Sequence, residues 1–167
     1  MGERHVKPVY VLAGIDEFLR SENRRRIISL ALGEADRQTA GVEFDPSAEL
    51  AEVLDELRNA PLLAAHRVVS VAPADPFISR YRSALEEYLE SPSATATLIL
   101  VVDSWDRRGK LHKTAAKVGR IIDCQPPKAS QAAKRMREML RARGKAASAE
   151  AGKALLDLHG GSLAELE

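Results

Sequence analysis

Four carboxylate side chains follow predicted strands, at the edge of the sheet where parallel α/β folds usually bind ligands or carry catalytic residues. Asp16 and Glu17 follow the first strand-like run of the sequence, and Asp103 and Asp106 follow the most apolar one. Carboxylates gathered at the carboxyl edge of a sheet can hold Mg²⁺ for phosphoryl transfer. The segment Asp103-Ser104-Trp105-Asp106 also suits a turn and a helix N-cap, and no Asp-x-Asp pair accompanies the four carboxylates. Turn chemistry is therefore the favoured interpretation, and a metal-dependent phosphatase or nuclease is an alternative.

The turn after the first strand lacks the equipment of a phosphate loop. It reads Ala13-Gly14-Ile15-Asp16-Glu17-Phe18, with a single glycine. A phosphate loop needs several glycines whose backbone amides face the phosphates, followed by Lys and then Ser or Thr. Asp16 and Glu17 would repel phosphates, although they favour the helix dipole. We therefore expect no ATP hydrolysis by this chain and no cofactor.

Composition excludes several other classes of protein. The 167 residues include 25 Lys or Arg and 24 Asp or Glu, so no global field directs the chain to nucleic acid or to an anionic membrane. Aromatic residues make up 4%, too few for a base-stacking surface. Cys124 is the only cysteine, which excludes an internal disulfide and a Cys-ligated zinc site. The four histidines are scattered and expected at the surface. Without a signal peptide or an apolar span, a cytoplasmic protein is expected.

Strand-like and helical patterns alternate along the first 125 residues. Short apolar or β-branched runs predict strands, and apolar residues at helical spacing predict helices. The predicted strands are 8–13, 41–44, 67–72, 95–102 and 120–123; the predicted helices are 17–32, 45–58, 75–90 and 110–118. The strand at 95–102 is apolar almost throughout, as in the middle of a parallel sheet. The pattern predicts an α/β fold, a parallel sheet with helices on both faces.

Composition changes at Gln125-Pro126-Pro127, after which only helical patterns follow. We therefore expect an α/β domain over residues 1–125 and an incomplete all-α domain over 126–167. The helix predicted at 129–143 lies in a strongly basic stretch, since 128–145 holds seven basic residues and one acid. Lys134, Arg137 and Arg141 fall on one of its faces. A solvated surface is the favoured interpretation, and contact with DNA phosphates or an acidic partner is the alternative.

Two adjacent leucines, Leu62 and Leu63, lie where a helix ends and a buried strand is about to begin. Such a loop normally runs over the surface, so these side chains either pack back onto the core or are exposed for contact with a partner protein. The residues alone leave both possibilities open. With Ala60 and Pro61 before them, they form a small apolar plug that suits a hydrophobic pocket.

Taken in order, these segments resemble the delta subunit family of bacterial DNA polymerase III, the clamp-loader subunits that open the sliding clamp. The resemblance runs over the whole chain. It is carried by Pro8-Val9-Tyr10-Val11-Leu12-Ala13-Gly14, Asp16-Glu17-Phe18-Leu19, Leu54-Asp55-Glu56-Leu57, Pro61-Leu62-Leu63, Arg67-Val68-Val69, residues 98–106, Lys110-Leu111-His112-Lys113 and His159-Gly160-Gly161-Ser162-Leu163.

The resemblance implies an AAA+-like α/β domain that has lost its phosphate loop, then a helical lid and a helical collar. It also implies an interaction protein without catalysis of its own, a member of the polymerase holoenzyme that contacts DNA only indirectly. Leu62 and Leu63 would insert into a pocket on the sliding clamp, the beta subunit, and the preceding helix would distort the clamp interface. The family often carries an aromatic residue where Leu63 stands. The collar, which joins the ATPase subunits and delta-prime, is not expected in this chain, which covers about half of a family member.

Overall fold

The computed structural model of the protein describes residues 6–32, 41–59 and 64–126. In this part of the chain strands and helices alternate strictly. The elements are β1 (Val9–Ala13), α1 (Glu17–Leu32), β2 (Gly41–Phe44), α2 (Leu50–Arg58), β3 (Arg67–Val71), α3 (Asp75–Glu90), β4 (Ala96–Val102), α4 (Lys110–Val118) and β5 (Arg120–Asp123).

The five strands form one parallel sheet in the order β2-β3-β4-β1-β5. The registers place Val11 beside Leu100 and Val69 beside Leu98. β4 occupies the centre, and all seven of its residues are buried. Its nearly continuous apolar sequence follows from that position, because a central strand of a parallel sheet is covered on both faces. The predicted α/β class is confirmed.

Alternate residues of each strand point to opposite faces, and each face has its own core. On one face Leu98 and Leu100 of β4 pack with apolar residues of α2, α3 and α4. On the other face Ile99 and Val101 pack with residues of α1, and Ala64 packs against the same cluster. Among the described elements, three helices therefore cover one face of the sheet and α1 covers the other.

The second helix begins later than its sequence pattern suggests. The helix was predicted to begin at Asp45, but Asp45 instead accepts hydrogen bonds from the backbone N–H and the hydroxyl of Ser47, at 2.6 and 2.5 Å. This local turn satisfies the Asp45 carboxylate and lowers its pKa. The helix starts at Leu50, with Glu49 as its N-cap. An aspartate followed by proline is equally suited to a turn and to a cap, and here the turn formed.

Within the described ranges no helix is both long and apolar enough to cross a membrane. Of the incomplete helical domain expected over 126–167, only Pro126 is described, so that expectation lies outside the described residues.

Candidate interaction site and the carboxyl edge of the sheet

The turn between β1 and α1 is short and held between the ends of two neighbouring strands. Only three residues join Ala13 to Glu17. The N–H of Gly14 donates to the carbonyl of Val102 at 2.9 Å, and the N–H of Asp16 donates to the carbonyl of Cys124 at 2.9 Å. Gly14 has φ of +137°, and a Cβ there would lie 2.2 Å from the Cys124 carbonyl carbon. Only glycine fits this position, and the turn is much shorter than an eight-residue phosphate loop.

Asp16 closes the same turn with its side chain. Its Oδ1 accepts the N–H of Leu19 at 2.9 Å, so the carboxylate caps α1. Asp16 is buried. The Asp16 carboxylate places a negative group where a phosphate would otherwise meet the helix N-terminus.

Arg20 connects the first turn of α1 to the end of β4. Its Nε donates to the carbonyl of Gly14, its Nη1 to Glu17 at 2.8 Å and its Nη2 to Asp103. The side chain is only 12% exposed. Burial lowers the pKa of Arg20, but its hydrogen bonds to Asp103 and Glu17 outweigh burial and leave the pKa raised. The guanidinium is therefore a permanent positive charge at the carboxyl edge of the sheet.

The alternative of a metal-dependent enzyme is not supported by this geometry. Glu17 and Asp103 bind Arg20, Asp16 caps α1, and Asp106 accepts the N–H of Arg108 at 2.9 Å. All four carboxylates are among the described residues, and in that part of the chain no three metal-ligating side chains come together. The carboxylates therefore organise turns and ion pairs.

A groove of about 670 Å³ runs along α1 near the ends of β3 and β4. Its charged lining consists of three arginines and three carboxylates: Arg20, Arg24, Arg25, Glu17, Glu43 and Asp103. Arg24 pairs with Glu43 and also donates to the hydroxyl of Ser70 at 3.1 Å. Because the two signs balance, the groove offers no excess positive charge to a phosphate.

α2, the helix that precedes Leu62 and Leu63 in the sequence, is fastened to α3 at its N-terminus. Glu49 and Glu52 form a capping box. The hydroxyl of Tyr81 donates to Glu49 at 2.6 Å, which raises the pKa of Tyr81. Arg80 donates to the carbonyl of Pro46 at 2.5 Å. Val53 and Leu57 of α2 are fully buried. The helix is thus held at a fixed place on the sheet.

The end of α2 is joined to the start of β3 by an ion pair between Glu56 and Arg67. Both side chains are largely buried, with 33% and 19% of their surface exposed. The N–H of Arg67 also donates to the carbonyl of Thr95 at 2.9 Å, which begins the pairing of β3 with β4. Ala60, Pro61, Leu62 and Leu63 lie outside the described residues. The described residues on either side of them are held together by this pair.

His66 is a second anchor beside this segment, and it is less exposed than the surface position expected for the histidines. It is half-buried, and burial lowers its pKa. Thr97 donates its hydroxyl hydrogen to the carbonyl of Lys7 at 3.0 Å, so it accepts from His66 Nε2 at 2.9 Å. A lone histidine before a strand gives no signal of this role, because its partner Thr97 is 31 residues away in the sequence.

The three basic residues singled out for contact with DNA or an acidic partner, Lys134, Arg137 and Arg141, also lie outside the described residues. Arg20 was not predicted as a functional residue, because its partner Asp103 is 83 residues away in the sequence. The only available signal was a basic residue three positions after Glu17, which is common on any exposed helix.

The strand order and the closed first turn together define an AAA+-like α/β domain without a phosphate loop. Of the solved structures it resembles, the DNA clamp loader delta protein of Bacillus subtilis superposes with a TM-score of 0.78 at 23% identity over 96% of this chain. A DNA polymerase III gamma subunit-related protein of Thermotoga maritima superposes with a TM-score of 0.54 at 17% identity over 90% of this chain. These similarities establish the fold.

The chain belongs to the DNA polymerase III delta subunit family, whose sequence profile matches residues 10–125. The chain spans about half the length of the two solved relatives, 51% of the first and 54% of the second. A comparison with curated proteins finds no match.

Proposed function

We propose that this chain is the clamp-engaging part of a clamp-loader delta subunit, acting in DNA replication in the cytoplasm. Leu62 and Leu63, with Ala60 and Pro61, insert into a hydrophobic pocket of the sliding clamp and favour its open form. The chain performs no chemistry itself, and ATP is used by partner subunits. Membership of the delta family over residues 10–125 is the observation that carries the proposal.

The junction of α2 and β3 supports this role for the leucine pair. To favour an open clamp, the leucine pair must be attached firmly to the folded α/β domain. A freely moving loop could bind the clamp without displacing its interface. The residues on either side of the pair are held by Glu56–Arg67 and by the buried Leu57. Differential binding to the open clamp is all that such a switch requires.

Assembly with the ATPase subunits and delta-prime is part of the same proposal, at the level of the whole loader. In the family these contacts come from the collar, and this chain covers about half of its solved relatives. Contact with DNA would then be indirect, through the assembled loader. The contact with DNA or an acidic partner considered for residues 128–145 stays a prediction.

The test is binding of the chain to the sliding clamp of its own organism, measured for the wild type and for a Leu62→Ala/Leu63→Ala variant. Truncating two anchoring side chains should weaken binding by about 2–4 kcal/mol, roughly 30-fold or more. Ile15→Ala/Leu30→Ala is the matched control, because Ile15 (59% exposed) and Leu30 (41%) are the exposed large apolar residues among those described.

Circular dichroism and urea unfolding of each variant separate the two possible roles of the leucines. Loss of clamp binding in a variant of unchanged stability supports the plug. Equal binding by the variant and the wild type would contradict the plug. A loss of stability large enough to explain the loss of binding would also contradict it, because it would show that the leucines pack in the core.

A further inference from the structure

The turn of α3 that contacts α2 is irregular. α3 departs from helical geometry at Tyr81, where φ is −119° and ψ is 23°. The Tyr81 hydroxyl donates to Glu49 at 2.6 Å, and the adjacent Arg80 donates to the carbonyl of Pro46 at 2.5 Å. Both acceptors precede Leu50, the first residue of α2. We call Pro46, Glu49, Arg80 and Tyr81 the α2–α3 junction.

The bond from Tyr81 is not needed to form α2. Glu49 and Glu52 already close the capping box, in which each side chain accepts the backbone N–H of the other residue. Glu49 is exposed, so water would replace the Tyr81 hydroxyl if that bond were lost. The bond therefore adds little to the stability of α2 as a helix. It adds an attachment of the helix N-terminus to a second helix.

α2 packs on the core along a narrow line. Its buried side chains are Val53 and Leu57, one helical turn apart, and Leu50 and Leu54 beside them are partly buried. A helix of nine residues that packs along one line can tilt about that line without leaving the core. The α2–α3 junction opposes this tilt at the N-terminus, and the ion pair to β3 opposes it near the C-terminus.

The orientation of α2 matters because the proposed plug follows this helix directly. Asn59 is the last described residue before the segment that contains the leucine pair. In the proposed function the leucines occupy their pocket while α2 displaces the clamp interface. If α2 could tilt, the interface would close again while the leucines stayed bound.

We propose that Tyr81 is a positioning residue for clamp opening. Its bond to Glu49 fixes the orientation of α2 and so couples insertion of the leucine pair to opening of the ring. This inference rests on the proposed function. A closed ring must be opened on binding, whereas a single clamp subunit has no interface to open. The α2–α3 junction therefore strengthens binding to the closed ring and leaves binding to the single subunit unchanged.

The experiment measures the affinity of the full chain for the closed clamp and for single clamp subunits, whose ring interface is blocked by charge reversal. Tyr81→Phe removes one hydroxyl and keeps the ring that packs edge-on against Phe77, with centroids 5.1 Å apart. Loss of one such hydrogen bond predicts an affinity for the closed ring lower by about threefold to tenfold. The affinity for the single subunit should stay unchanged. Energy transfer between dyes placed across the clamp interface should report fewer open rings.

Tyr88→Phe is the matched control. Tyr88 also lies on α3, and its hydroxyl accepts the N–H of Ser93, in the connection to β4, at 3.3 Å. This variant loses a hydroxyl from the same helix without changing the bond to Glu49, so the ratio of the two affinities should stay that of the wild type. If Tyr81→Phe does not fold, Arg80→Met, which removes the bond to Pro46, should change the ratio in the same direction.

Three results would overturn the role of Tyr81 while leaving clamp binding in place. Equal losses of affinity for the ring and for the single subunit would show that Tyr81 supports folding or binding alone. Unchanged affinities in the junction variants would show that the junction does not position α2. The same change of ratio in Tyr88→Phe would assign the effect to α3 as a whole. Binding of the wild type to neither form of the clamp would instead overturn the proposed function, and this inference with it.

Discussion

Glu56, two residues before the end of α2, forms an ion pair with Arg67, the first residue of β3. The two residues are only eleven positions apart, yet between them the chain passes from a helix on one face of the sheet into the sheet itself. The pair therefore fixes the spacing between the two described elements on either side of Leu62 and Leu63.

Removing one partner of this pair should destabilise the domain, because the other charge would remain largely buried. We expect Glu56→Gln and Arg67→Met each to lower the free energy of unfolding by about 1–3 kcal/mol, below the range for fully buried pairs since both groups keep some exposure. Urea unfolding of both single variants and the double variant gives the coupling energy. Strictly additive effects would show that the two side chains do not interact.

Gly14 should tolerate no side chain. Gly14→Ala would place a Cβ against the Cys124 carbonyl in a backbone conformation that side chains rarely adopt, and we expect a loss of more than about 2 kcal/mol in unfolding free energy. Gly109→Ala is the matched control. Its nearest contact is the movable Asp106 carboxylate at 3.1 Å, and the loss there should stay within about 1 kcal/mol. Similar losses at both positions would contradict this account of the first turn.

Arg20 should matter more to stability than other arginines of α1. Arg20→Met removes hydrogen bonds to Gly14, Glu17 and Asp103, and we expect it to lower the unfolding free energy by about 1–2 kcal/mol. Arg26, which is 74% exposed and pairs with Glu22 at 3.5 Å, is the control. Arg26→Met should change the unfolding free energy by less than about 0.5 kcal/mol. Thermal unfolding of the two variants measured side by side checks the difference. Equal losses of stability would contradict the special role proposed for the Arg20 hydrogen bonds.

His66 should make stability depend on pH. Its pKa is lower in the folded state than the ordinary value of 6.5, so below that value the unfolded chain binds more protons than the folded one. The stabilisation is complete above pH 6.5 and is lost as pH falls through the folded pKa. In His66→Gln, whose amide can still donate to Thr97, unfolding free energy should vary less between about pH 5 and 7. Identical pH profiles for the variant and the wild type would show that His66 does not contribute.

Much of the fold follows from the sequence because burial leaves a strong pattern. β4 is apolar at nearly every position and occupies the centre of the sheet, as expected for a strand covered on both faces. α1, α3 and α4 have the predicted bounds, since their apolar residues recur at helical spacing. The predicted start of α2 was wrong, because Asp45 accepts a hydrogen bond from Ser47 in a local turn. Residues two positions apart decided that outcome, and the pattern of apolar residues does not report it.

The candidate site was less predictable, because the hydrogen bonds and ion pairs that position it join residues far apart in the sequence. Arg20 with Asp103, His66 with Thr97 and Tyr81 with Glu49 are each separated by more than thirty residues. Such contacts follow from the topology of the sheet and not from local spacing. The leucine pair was visible in the sequence because two large apolar side chains are unusual in a surface loop. Its role as a plug stays a prediction.

The outer strands of the described sheet have a consequence for handling the protein. β2 and β5 have four residues each, and charged side chains interrupt them at Glu43, Arg120 and Asp123. Long, flat, uncharged edges recruit further strands and lead to aggregation, and these edges are short and charged. The purified domain is therefore protected against edge-to-edge polymerisation, and concentrated samples should stay free of fibrils.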